Sequence, residues 1–126
     1  MSTPRHLLLV AEDAEVRLAV DRQLDDLGWS ALIVRNGAEA LRILTQDVRV
    51  DVLLTDVRLP DMDGRELAWA VCQKRPFTRV AFMGHAAPAE PLAPLNAPFL
   101  TTPFTTTALS NALTAAVPFR RSASKP

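Results

Sequence analysis

Residues 50–64 read VDVLLTDVRLPDMDG, and this stretch decides the fold. Its first half is an almost continuous apolar run, which predicts a strand at 50–55 that is buried on both faces, as in a parallel sheet. Asp56 ends that strand, and a helix is predicted from Gly64 to Lys74. A carboxylate held at the end of a buried strand can act as a nucleophile or as a metal ligand. Aspartate also begins ordinary turns, so strand position alone leaves both interpretations open.

The rest of the chain alternates between predicted strands and predicted helices. Strands are predicted at 7–11, 31–34, 80–83 and 99–101, and helices at 14–27, 39–44 and 107–117, from apolar runs and helical spacing. Four prolines between 88 and 98 predict a loop where one more helix would otherwise fall. The pattern predicts an α/β fold with a five-stranded, doubly wound parallel sheet between two layers of helices. Ligands of such sheets bind at the carboxyl ends of the strands.

Composition limits the classes of function. The 126 residues suit one domain, and 48% of them are hydrophobic, which is enough for a core. Fourteen basic and fourteen acidic residues balance, which argues against a surface tuned to nucleic acid or to a membrane. Cys72 is the single cysteine, so an internal disulfide and a thiol-based zinc site are excluded. We expect a cytoplasmic domain at 5–117, a basic disordered tail at 118–126 and no fused DNA-binding domain.

The segment that follows the strand at 50–55 strongly resembles the signature of response-regulator receiver domains, and the resemblance runs without a gap from Leu7 to Val80. Within that stretch the segments 27–29 and 36–41 match the family, and beyond it the segments 84–86 and 102–104 match as well. The resemblance implies the flavodoxin-like (CheY-like) three-layer sandwich, here with a degraded fourth helix. It also implies a place in a two-component phosphorelay and no enzymatic activity beyond the domain's own phosphorylation and dephosphorylation.

The resemblance assigns roles to individual residues. Asp56 would accept a phosphoryl group from a histidine kinase or a histidine phosphotransfer protein. A Mg²⁺ ion would be held by Glu12, Asp56 and the backbone carbonyl of Arg58. A protein partner would bind the face formed by the family's fourth and fifth helices, which the prolines at 88–98 rebuild here. The sequence does not indicate an oligomeric state.

Several positions depart from the family pattern. The usual acidic pair falls on Ala11 and Glu12 when the chain is aligned without a gap, and on Glu12 and Asp13 only if a deletion is allowed. We therefore expect weakened Mg²⁺ binding. The position of the phosphate-binding hydroxyl falls on Met83, and that of the lysine falls on Thr102. Neither side chain supplies the family's contact, because methionine donates no hydrogen bond and threonine carries no charge.

The switch-aromatic position falls on Phe99, which we expect to be a fixed hydrophobic contact because its trigger at Met83 is missing. Two hypotheses follow. In the first, a stand-alone receiver accepts phosphate at Asp56 with impaired switching. In the second, a pseudo-receiver binds proteins without phosphorylation. A flavin-binding module is disfavoured because the acidic loop at 11–15 would repel a phosphate. An aspartate-nucleophile phosphatase is disfavoured because Arg58 replaces the second acid that it requires.

Overall fold

The computed structural model describes residues 5–88 and 97–118. In these ranges the strands are β1 Arg5–Val10, β2 Trp29–Val34, β3 Val52–Asp56, β4 Arg79–Gly84, β5 Phe99–Thr101 and β6 Val117–Pro118. The helices are α1 Ala14–Asp26, α2 Gly37–Ile43, α3 Gly64–Lys74 and α4 Thr106–Ala115. Strands and helices alternate as far as β4, as the apolar runs predicted.

The strands form one sheet in the order β2-β1-β3-β4-β5, and all four neighbouring pairs are parallel. Successive side chains of β1 point to opposite faces of this sheet, so Leu8 and Leu7 belong to two separate cores. The core on one face packs against α2 and α3, and the core on the other packs against α1 and α4. The predicted doubly wound α/β sandwich is confirmed.

Side chains at the helix starts fix where the helices begin. The helices have N-cap residues whose side chains accept backbone N–H groups of the first turn: Asp13, Asn36, Asp63 and Thr105. Before α3 the cap is a capping box, in which Asp63 and Glu66 bind each other's backbone. After α1 the chain turns at Gly28, whose φ of +83° suits glycine. These residues set the chain directions that bring the strand ends together.

The end of the described chain differs from the prediction. The last helix was predicted to reach residue 117 and the tail to begin at 118, but α4 ends at Ala115. Val117 and Pro118 form β6, antiparallel to the first residues of β4, so the sheet has six strands and not five. The physical reason is Pro118, because a residue that precedes proline is disfavoured in the helical region. Residues 119–126 lie outside the described part of the chain.

Two smaller differences concern the predicted strand at 50–55 and the proline-rich segment. The strand begins at Val52, since Asp51 instead binds the start of β1 through its side chain and its backbone N–H. Residues 85–88 and 97–98 form no helix, and the rest of the segment predicted to be a loop, 89–96, lies outside the described residues. Among the helices described, none combines the length and apolar character that crossing a bilayer requires.

Candidate functional site

The carboxyl ends of β1, β3, β4 and β5 meet around one cavity. Asp56, the last residue of β3, lies between the ends of β1 and β4. The cavity has a volume of about 760 Å³ and is lined by Glu12, Asp13, Val16, Asp56, Val57, Arg58, Met83, Gly84, His85, Ala86, Ala87, Pro88 and Thr102. Every predicted site residue except Ala11 and Phe99 therefore lies at this cavity.

The carboxylate of Asp56 is partly buried, and its Oδ2 accepts the backbone N–H of Glu12 at 3.0 Å. Burial raises the pKa of Asp56 above its ordinary value, and the negative charges of Glu12 and Asp13 add to this effect. The N–H group of Glu12 and the nearby His85 act in the opposite direction without cancelling it. A cation beside Asp56 would offset both the burial of its charge and the repulsion from Glu12 and Asp13.

The acidic turn after β1 is held in place by Arg17. Its Nη1 donates to the backbone carbonyls of Ala11 and Glu12, at 2.8 and 2.7 Å. The side chain of Ala11 is buried in the core, whereas that of Glu12 is exposed at the cavity. Asp13 uses its carboxylate to cap α1 through the N–H of Glu15 at 2.8 Å. This leaves Glu12 as the acid of the turn whose carboxylate has no described hydrogen-bonding task within the fold.

The loop after Asp56 returns closely to β3. The N–H of Gly64 donates to the carbonyl of Val57 at 2.6 Å, and a Cβ at Gly64 would overlap the backbone carbonyl oxygen of Asp56. Further along the loop, Asp61 accepts the N–H groups of Gly37 and Ala38, both at 2.9 Å, and these bonds lower its pKa. These hydrogen bonds hold the loop against the end of β3 and against the start of α2, and so support Asp56.

Met83 and Phe99 occupy the two positions that the family pattern associates with switching. Met83 is fully buried and packs in the core on the α1 and α4 side. Phe99 is partly buried in the opposite core, with its ring close enough to Gly84 that an added Cβ would lie 3.3 Å from it. Neither side chain offers a hydrogen-bond donor to a phosphoryl oxygen.

His85 lies at the site, although the sequence analysis assigns it no role there. Its Nδ1 lies 3.2 Å from the hydroxyl of Thr102, the residue at the family's lysine position. That hydroxyl is also 3.3 Å from the carbonyl of Gly84. The parallel pairing of β4 with β5, Gly84 opposite Thr101, places the two residues that follow side by side. The predicted strand ends at 83 and 101 could have suggested that His85 and Thr102 lie close together.

The donors at the cavity suit Mg²⁺. Magnesium is bound through one or two carboxylates while it keeps several waters, and Asp56 and Glu12 are two carboxylates at one cavity. Arg58 lines the same cavity. Within residues 5–88 and 97–118 no group of three or more acidic, histidine or cysteine side chains is arranged to hold a metal. The arrangement therefore fits an ion that also takes water and phosphoryl oxygens, and does not fit one caged by side chains alone.

Comparisons with known proteins agree with this geometry. Residues 7–113 match the family model of the response regulator receiver domain. The transcriptional regulatory protein GlrR of Escherichia coli is 38% identical over 64 residues, 51% of this chain and 14% of GlrR. The DNA-binding transcriptional regulator NtrC of the same species is 36% identical over 75 residues, 60% of this chain and 16% of NtrC. The chain thus spans only a small part of the length of these relatives.

Solved structures show the same fold over most of the chain. The chemotaxis response regulator CheY4 of Vibrio cholerae superposes with a TM-score of 0.75 at 27% identity, covering 89% of this chain and 98% of that one. A response regulator receiver protein from Sinorhizobium medicae gives a TM-score of 0.75 at 26% identity, with 88% and 92% covered.

The chain belongs to the response-regulator receiver domains of two-component signalling. Members of this family generally bind Mg²⁺ at the acidic site and interact with histidine kinases or phosphotransfer proteins. The fold is that of a signalling module.

The pKa of Asp56 leads to a prediction about stability. A carboxyl group whose pKa is raised in the folded state stabilises the fold at low pH, and this contribution is lost as the pH rises through the folded pKa. Asparagine does not titrate, so Asp56→Asn should raise the free energy of unfolding near neutral pH. This advantage should shrink as the pH falls through the raised pKa of the folded state and should be gone below the ordinary aspartate pKa. Urea denaturation in EDTA across a pH series measures this, and a difference that does not depend on pH would contradict it.

Proposed function

We propose that Asp56 accepts a phosphoryl group from a histidine kinase or histidine phosphotransfer protein, with impaired switching. The observation that carries this is the position of the Asp56 carboxylate. It is partly buried at the end of β3, bonded to the N–H of Glu12 and open to the cavity. The charge of Glu12 beside the Asp56 carboxylate, with Arg58 in the same cavity lining, supports Mg²⁺ binding by Glu12, Asp56 and the carbonyl of Arg58. When bound, Mg²⁺ neutralises charge between carboxylate and phosphoryl oxygens.

The residues of the chain orient and restrain the acceptor. The N–H of Glu12 fixes one carboxylate oxygen of Asp56, and Arg17 fixes the turn that carries this N–H. Gly64 lets the following loop lie against the carbonyl of Asp56. These contacts restrict the acceptor before a donor arrives, which lowers the entropic part of the barrier.

The impairment follows from Met83 and Thr102. A preorganised donor at a site of developing charge is worth roughly 10²- to 10³-fold in rate, and neither position supplies the family's hydroxyl or ammonium group. The switch should suffer more than the transfer, because Met83 is packed in the core and has no group that a phosphoryl oxygen could pull inward. We expect slow phosphorylation and little movement of Phe99.

Intact-mass spectrometry tests the proposal. The protein is incubated with Mg²⁺ and phosphoramidate, and a mass increase of one phosphoryl group is expected on the wild type and on Asp47→Asn, but not on Asp56→Asn. Asp47 makes a matched control, since it is an exposed aspartate outside the cavity lining. Loss of the label in hydroxylamine identifies it as an acyl phosphate.

The second candidate function, a pseudo-receiver that binds proteins independently of phosphorylation, is favoured by the fully buried Met83. It predicts no label on a folded wild-type sample even after long incubation with donor and Mg²⁺. It also predicts that Asp56→Asn leaves partner binding unchanged. A label on the wild type that Asp56→Asn lacks would contradict it. The partner face expected at the family's fourth and fifth helices falls partly within 89–96, outside the described residues.

A further inference from the structure

The hydroxyl of Thr102 lies within hydrogen-bonding distance of two acceptors but carries one proton. Gly84 offers its carbonyl at 3.3 Å and His85 its Nδ1 at 3.2 Å. The carbonyl of Gly84 already accepts the backbone N–H of Thr102 at 2.8 Å. The carbonyl therefore keeps one hydrogen bond when the hydroxyl turns away from it, and the hydroxyl proton can then be donated to Nδ1 of a neutral imidazole.

The direction of the hydrogen bond between Thr102 and His85 decides which ring nitrogen of a neutral His85 carries the proton. When Nδ1 accepts the Thr102 hydroxyl, the single proton of a neutral imidazole must be on Nε2. In the charged imidazolium both nitrogens carry protons, and Nδ1 then donates to the hydroxyl oxygen instead. With the hydroxyl donating to Nδ1 of the neutral ring, Nε2 is a hydrogen-bond donor in both protonation states.

His85 also stands where a donor to the phosphoryl group is needed. It lines the cavity that contains Asp56, and it acts electrostatically on that carboxylate as an opposing positive charge. Arg58 is the other side chain of the cavity lining that can carry a positive charge. The charge of Arg58 lowers the pKa of Asp63. The two lysines of the chain, Lys74 and Lys125, lie on α3 and in the segment beyond β6.

We propose that His85, held by Thr102, donates its Nε2–H to a phosphoryl oxygen at Asp56, in place of the lysine that the family carries at position 102. This inference rests on the proposed function, since it concerns the same transfer. His85 is the binding residue, and Thr102 is a positioning residue that acts through the ring. In the step itself a carboxylate oxygen of Asp56 forms a bond to phosphorus while the P–N bond of phosphoramidate breaks and ammonia leaves. His85 stabilises the oxygens and keeps its proton.

Rates of labelling measure the contribution of the pair. His85→Ala should slow labelling by roughly 10²-fold, the lower end of the effect expected for one lost donor. Thr102→Val, which keeps the shape and removes the hydroxyl, should slow it less, and Thr102→Ser should retain the wild-type rate. His6→Gln is the matched control, because His6 lies in β1 toward the opposite end of the sheet. A wild-type rate in His85→Ala would overturn the proposal.

Nitrogen-15 NMR of the imidazoles supplies a readout other than activity. The chain has two histidines, so His6→Gln assigns the signals of His85. We expect the neutral ring of His85 to be the Nε2–H tautomer, and Thr102→Val to shift the ring toward a mixture of tautomers. Beryllofluoride with Mg²⁺, used as a phosphoryl mimic, should move the Nε2 resonance of the wild type. A pure Nδ1–H tautomer, or an Nε2 signal unmoved by bound beryllofluoride, would overturn the proposal.

The results separate the failure of this inference from that of the proposed function. A wild type that is labelled at Asp56 while His85→Ala is labelled equally fast defeats the role of His85 alone. A folded wild type that takes no label from phosphoramidate defeats both. Slower labelling in His85→Ala, with His6→Gln unchanged, supports both.

Discussion

Gly64→Ala is expected to destabilise the fold by about 3 kcal/mol, because the added methyl group has no room. A Cβ at this position would overlap the backbone carbonyl oxygen of Asp56 and would lie 3.0 Å from its carbonyl carbon and 3.1 Å from the Cα of Val57. All three atoms belong to the backbone of β3 or the residue directly after it, so no side-chain rotation relieves the contact.

The cost has two origins. Either the loop moves away and loses the 2.6 Å hydrogen bond from the N–H of Gly64 to Val57, or β3 moves within a sheet bonded on both sides. Both movements shift Asp56, so labelling at Asp56 should fall together with stability. Glycine is needed here for close approach of two backbone segments and not for an unusual φ.

Urea denaturation followed by circular dichroism measures the effect, with Gly84→Ala as the matched control. At Gly84 an added Cβ would meet the edge of the Phe99 ring at 3.3 Å, and a ring can yield by a few tenths of an ångström. We expect the control to lose less than about 1 kcal/mol. Equal losses in the two variants would contradict the backbone contact at Asp56.

Thr102→Lys is expected to raise the rate of labelling at Asp56 by up to about 10²-fold, because the added charge outweighs the loss of the hydroxyl that holds His85. Thr102 lines the same cavity as Asp56 and is partly exposed, so a long side chain can enter without displacing the core. An ammonium group there would face the phosphoryl charge in a partly buried site, where electrostatic contacts are stronger than in water. Met83→Thr offers a poorer test, because removing a fully buried methionine leaves a cavity.

The rate is measured by the time course of the phosphoryl adduct, with Thr114→Lys as the control. Thr114 is an exposed threonine near the end of α4, outside the lining of the cavity. The Thr114→Lys variant adds the same charge as Thr102→Lys but adds no contact to phosphate. A rate unchanged by Thr102→Lys, or raised equally by both variants, would show that missing charge at position 102 does not limit the transfer. Added resistance of the adduct to hydrolysis would be a separate effect, detected by removing the donor.

Much of the fold could be predicted from local patterns. The apolar runs before Glu12 and Asp56 identified two central strands, because only strands buried on both faces lack polar alternation. The bounds of α3 and β5 agree with the structure to the residue. Prediction did less well at the chain end, where β6 depends on a partner distant in sequence, the start of β4.

The sequence by itself determined the layered α/β architecture, the place of Asp56 at a strand end, and the residue types that the cavity lacks. The first two follow from periodicity and composition, which act over a few neighbouring residues, and the third follows from the resemblance to receiver domains. The tertiary structure was needed to show that Thr102 and His85 form a pair, that Met83 is wholly buried, and that Gly64 lies close against the backbone of Asp56. Each of these depends on strands and loops distant in sequence meeting at one sheet edge, and burial there raises the pKa of Asp56.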